Sequence, residues 1–159
     1  MTKIHRTTCK NLTQFIDTVR EIRSHSPSGH VWYRGHGNND YVLRPTLYRN
    51  ENYATIESVT EVESKMMDAY EFGVPTYENL IGNGKWDRLF LMQHYRMPTR
   101  LLDWSASPLV AAFFALMKVP PSNKKAQVWS LIPDKWNQAM VPDLSAQEIF
   151  LQCLRNLII

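Results

Sequence analysis

The sequence predicts an α+β domain: a small mixed β-sheet surrounded by about five helices, with a buried apolar helix at 108–117. Three observations lead there. Apolar residues recur at helical spacing in several segments of ten residues or more. Strand-forming runs are few and short, at 30–34, 41–43 and 126–132. The 159-residue chain is 44% hydrophobic and 21% charged, a soluble globular composition with length enough to bury a core. One domain over 1–159 is expected, with residues 1–27 forming an N-terminal helical segment.

Taken in order, residues 11–24 carry Leu12, Phe15, Ile16, Val19 and Ile22 on one helical face, behind Asn11 as N-cap. Pro27 and Gly29 end that helix. Val31, Trp32 and Tyr33 make 30–34 a strand, which runs into the turn-rich segment Gly35–Asp40. Tyr41–Leu43 reads as a second short strand. Residues 56–72 form a helix with Val59, Val62, Met66, Ala69 and Tyr70 inward; Glu57, Glu61, Glu63, Lys65 and Asp68 read as its solvated face. Gly73, Pro75, Gly82 and Gly84 mark a loop before a helix at 85–95, which Pro98 stops by restricting Met97. Ser107 followed by Pro108 is a strong helix start. The helix at 108–117 is apolar on every side, so it is expected to run through the core. AQVWSLI at 126–132 is a strand, Asp134 opens a short helix or turn, and 145–159 fits either a helix or a further strand.

Two polar groupings stand out. The first is Tyr33, Arg34, Gly35 and His36, followed by Arg44 and Tyr48. An arginine at a strand end presents a planar fork suited to phosphate or carboxylate, and a neighbouring glycine allows close approach of a ligand to the backbone. An internal Arg–carboxylate pair is the competing reading. The second packs Gln93, His94, Arg96, Thr99, Arg100 and Asp103 against the apolar helix, where a buried charge needs a partner. His94 suits proton transfer near neutral pH, and Asp103 either orients it or pairs with Arg100. The structural alternative is that these residues only clamp the link before the helix.

The exclusions are informative. The net charge of +3 does not predict extended nucleic-acid binding. Cys9 and Cys153 have no metal spacing, and the five scattered histidines form no H-E-x-x-H. There is no P-loop, no dinucleotide fingerprint and no nucleophile elbow. A polar N-terminus without a signal h-region, and no apolar run of spanning length, predict a cytoplasmic chain off the membrane.

WYRGHGNNDYVLRPTLYR (32–49) and QHYRMPTRLLDWSASPLVAAFFAL (93–116) resemble the signature of the FRG domain, named for its Phe/Tyr-Arg-Gly motif and found in bacterial and phage-encoded proteins. The likeness runs from about residue 28 onward. It departs at Arg96, where the family usually has glycine, and at AQEIF (146–150), which matches a later Gln-x-Gly-x-Phe strand only loosely, so the C-terminal end is expected to be divergent or shortened. The resemblance, with the polar groupings, implies an effector or defence-type (toxin-like) enzyme acting on a nucleotide-linked substrate. Its catalytic candidates are His94, Asp103 and Glu148. Its ligand-binding candidates are Tyr33, Arg34, Gly35, His36, Arg44, Gln93, Thr99, Arg100 and Trp104, and all are expected to share one cleft. The Tyr-Arg-Gly strand is also faintly similar to the first NAD-contacting strand of ADP-ribosyltransferases, for which Glu148 would be the late glutamate and NAD the cofactor. A non-catalytic module for a nucleotide, nucleic acid or protein is the alternative.

Overall fold

The computed structural model describes residues 4–49, 56–73, 84–120 and 123–140. These hold five α-helices: α1 (Leu12–Ser24), α2 (Ile56–Gly73), α3 (Lys85–His94), α4 (Pro108–Leu116) and α5 (Pro133–Met140). They also hold two strands, β1 (Trp32–His36) and β2 (Gln127–Leu131), and one 3-10 turn at Thr46–Arg49. The class is α+β. The chain divides into two compact units, one containing residues 4–38, 105–120 and 123–140, the other 39–49, 56–73 and 84–104.

In the first unit, Asn11 caps α1 by accepting the Gln14 N–H at 2.9 Å. Gly29, at φ 72°, makes the turn from α1 into β1. Strands β1 and β2 pair antiparallel, with Tyr33 opposite Ser130 and Gly35 opposite Val128. The other edge of β1 is also used: Tyr33 N–H donates to Ser105 O at 2.7 Å, and Ser105 N–H returns to Tyr33 O at 2.8 Å. Successive side chains of a strand point to opposite faces. Tyr33 therefore enters a core with Val19, Val31 and Ala111, flanked by Phe15, Ile22, Val128 and Ile132.

Helix α4 starts as its sequence predicts, with the Ser107 hydroxyl accepting Val110 N–H and Pro108 in the first turn. Its burial differs from expectation. Only Ala111 and Ala115 are buried, while Leu109, Phe113, Phe114 and Leu116 are each more than half exposed. The reason is distance. A Cβ placed on Gly35 would lie 1.9 Å from Ala111 O and 2.7 Å from Ala115 N, so β1 touches the helix backbone itself. Only the alanine side of the helix fits so close a contact, and the bulky residues are left outside.

The second unit has a methionine-rich core of Met67, Leu89 and Met92, with Met66, Tyr70, Met97 and Leu101 around it. The fully buried stripe of α2 is Val59, Glu63 and Met67, spaced by four; of the predicted inward face Val59 is buried, Val62, Met66 and Tyr70 are half-buried and Ala69 is exposed. Glu63, read as solvated from sequence, is 2% exposed because Arg100 pairs with it. The predicted strand at Tyr41–Leu43 is not formed. Those residues are exposed, and Arg44 N–H turns back to Val42 O at 2.9 Å. Strand-forming side chains need a partner strand to pack on, and none pairs with them among the described residues. Among the described residues the sheet is the antiparallel pair β1 and β2. The ambiguous segment 145–159 lies outside the described residues.

Candidate functional site

The candidate residues divide between the two units. In the first, strand alternation sends Tyr33 and Gly35 to the packed side of β1 and Arg34 and His36 to the opposite side. His36 is buried, and its Nε2 accepts the Arg34 Nε–H at 3.2 Å. An imidazole nitrogen that accepts is unprotonated, so this contact selects the neutral ring with its proton on Nδ1. The guanidinium plane is thereby oriented by a group that brings no charge of its own. Across the ladder Arg34 faces Trp129 and His36 faces Gln127. The Tyr33 ring lies in the core, and its buried hydroxyl has no hydrogen-bond partner among the described residues. Burial pushes that hydroxyl above its ordinary pKa, against the opposing charge of Arg23. The glycine of the motif allows helix α4 to approach β1 closely.

In the second unit the tight link after α3 is organised by a hydrogen-bonded relay. Leu101 N–H donates to Thr99 Oγ1 at 3.3 Å, and the Thr99 hydroxyl donates to Gln93 Oε1. With its carbonyl engaged, the Gln93 amide turns its Nε2 toward Asp103, at 3.1 and 3.2 Å from the two carboxylate oxygens. Thr99 is fully buried and its carbonyl accepts Leu47 N–H at 3.2 Å, so the relay is rooted in the core. Asp103, at the outer end, is exposed. Arg100 turns the other way, with Nε 2.8 Å from Glu63 Oε1 and a second bond from Nη2 to Oε2. This two-pronged bond to the Glu63 carboxylate raises the Arg100 pKa further, outweighing burial. The expected Arg100–Asp103 pair is replaced by Arg100–Glu63 and Gln93–Asp103. The His94 ring is exposed and meets Tyr95 edge-on, with centroids 5.5 Å apart. Arg44 is exposed, its carbonyl taking Arg49 Nε at 2.9 Å, and Trp104 is half-buried. Glu148 lies outside the described residues.

A family model, that of the FRG domain, matches residues 29–124. The chain belongs to this family. No curated protein matches it, and no solved structure matches it. The matched span of the FRG domain contains both polar groupings, the relay and the arginine–histidine contact alike.

Membership makes Arg96 legible. It follows α3 with φ 62°, the left-handed conformation that favours glycine, which the family usually carries there. Around it Arg96 N–H bonds Gln93 O and Met97 N–H bonds Met92 O, both at 2.9 Å, the two bonds of a Schellman cap. Met97 then packs into the core cluster that contains Met92. The backbone turn that places Thr99 beneath Gln93 is thus kept without its usual glycine.

Two positions escaped the sequence reading. Glu63 falls on the face that reads as solvated, although it stands four residues from both Val59 and Met67; a carboxylate in register with two core residues is the available signal. Ser105 bridges to β1 through its backbone alone, which no side-chain pattern reports. Among the described residues no group of three His, Cys, Asp or Glu side chains is placed to hold a metal ion, and no helix is long and apolar enough to cross a membrane.

Proposed function

We propose that this FRG domain recognises a phosphate-bearing, nucleotide-linked ligand and acts on it as an effector or defence-type enzyme. The observation that carries the proposal is the Arg34–His36 contact. A guanidinium oriented by a buried, neutral imidazole is preorganised for an oxyanion, and its fork geometry matches phosphate oxygens. The narrower form, transfer of ADP-ribose from NAD, is supported by the likeness of the Tyr-Arg-Gly strand and depends on Glu148.

The non-catalytic reading has its own support. His94 is exposed against Tyr95, and Asp103 takes the Gln93 amide, so the expected orientation of a proton-transferring His94 by Asp103 is not formed. Calorimetric titration with adenosine, AMP, ADP and NAD tests the proposal. Phosphate-dependent binding is expected, weakened at least tenfold by Arg34→Ala. It is retained in His36→Gln, whose amide oxygen can accept the Nε–H, and weakened in His36→Ala. Binding that ignores phosphate, or survives Arg34→Ala, refutes the reading. Nucleotide turnover, sensitive to His94→Ala and Glu148→Gln, separates an enzyme from a binding module.

A further inference from the structure

We propose that the outer face of α4 is a homodimer interface. On a helical wheel Leu109, Phe113, Leu116 and Met117 fall together, with Phe114 at their margin, opposite the buried Ala111 and Ala115. Their exposures are 54%, 62%, 66%, 56% and 55%, and Val119, just beyond the helix, is 92% exposed. From Leu109 to Met117 there is no charged residue and no polar side chain. Scattered surface leucines need no explanation, but a contiguous patch of this kind does. The helix cannot turn these residues inward. Gly35 holds its backbone against β1, and rotating a phenylalanine into that contact would drive the two elements apart.

The occupant is a second copy of this chain. At about 200 Å² for a large side chain, the six residues present about 700 Å² per copy, close to the roughly 800 Å² that each partner contributes to a standard interface. From Leu109 to Met117 this face offers no side-chain donor, acceptor or charge to select a polar partner; the exposed Lys118 borders it before Val119. The face is complementary to itself, which is what a two-fold interface requires. Phe113 lies near the middle of the apolar arc, so the two-fold axis passes beside it and Phe113 meets its own symmetry mate. The inference is independent of the nucleotide reading, because none of these residues belongs to either polar grouping.

Sedimentation velocity on the full chain from about 1 to 100 μM tests it. The wild type is expected to be dimeric at the upper end. Phe113→Lys and Leu116→Lys are each expected to raise the dissociation constant at least tenfold. Leu12→Lys, at an equally exposed leucine on α1, should leave dimerisation unchanged. Circular dichroism confirms that each variant is folded, and Leu116→Lys serves if Phe113→Lys is not. A monomeric wild type overturns the proposal, as does a dimer indifferent to both α4 substitutions. A monomer that co-sediments with phosphatidylcholine vesicles overturns it in favour of a lipid surface.

Discussion

Replacing Gly35 by alanine adds one methyl group at the contact between β1 and α4. That methyl would stand 1.9 Å from Ala111 O, 2.7 Å from Ala115 N and 3.0 Å from Ala111 C. Ordinary carbon contacts lie at roughly 3.5 Å or more, so strand and helix must separate by more than about 1 Å. The atoms struck are backbone, so no rotamer change relieves the clash. Separation also pulls Ala111 away from Tyr33, Val19 and Val31, the centre of this unit's core. Overpacking a tight core costs about 1–3 kcal/mol, and this contact belongs at the upper limit, about 3 kcal/mol. For a chain of this size that corresponds to a fall of about 6–12 °C in Tm. Urea unfolding followed by tryptophan fluorescence gives the value directly. Ala111→Gly in the same chain should not rescue it, since the obstructing oxygen remains. A Gly35→Ala variant within about 0.5 kcal/mol of wild type, the range of ordinary surface substitutions, would refute the close-approach account of this glycine.

The Glu63–Arg100 pair should respond asymmetrically. Arg100→Met leaves a buried carboxylate unpaired and should cost about 3 kcal/mol or more, whereas Glu63→Met leaves a guanidinium that is 34% exposed and can rehydrate, costing about 1 kcal/mol; equal losses in chemical denaturation would disprove this. Arg96→Gly should stabilise by up to about 1 kcal/mol, the left-handed penalty of about 1–2 kcal/mol less glycine's added unfolded-state entropy, and a destabilised variant would show that the arginine side chain matters more than its φ. Tyr33→Phe removes a buried hydroxyl without a partner among the described residues and should be neutral or stabilising by about 1 kcal/mol. Because burial raises the Tyr33 pKa, its share of stability is complete below the ordinary tyrosine value near 10 and is lost as pH rises through the folded value; Tyr33→Phe should therefore flatten the alkaline limb of a stability–pH profile, and an unchanged limb would argue against it.

Features whose cause is local were legible in the chain's own residues. Asn11, Ser107 and Pro108 set helix starts because capping is decided within three or four residues. The strands expected at 30–34 and 126–132 were legible from β-branched and aromatic runs, although β1 runs from Trp32 to His36 and takes in Gly35 and His36, which read as turn; the two motifs were specific enough to indicate the family. Tertiary structure decided everything that depends on a distant partner. Tyr41–Leu43 has strand composition, and among the described residues no strand pairs with it. Glu63 looks solvated until Arg100, thirty-seven residues later, reaches it. The helix at 108–116 is apolar all round, and only its distance from Gly35 selects the alanine side for burial. The polar groupings follow the same division. Residue types placed Arg34, His36, Gln93 and Asp103 among the candidates. Which group orients which is decided by three-dimensional neighbours that the one-dimensional pattern does not pair.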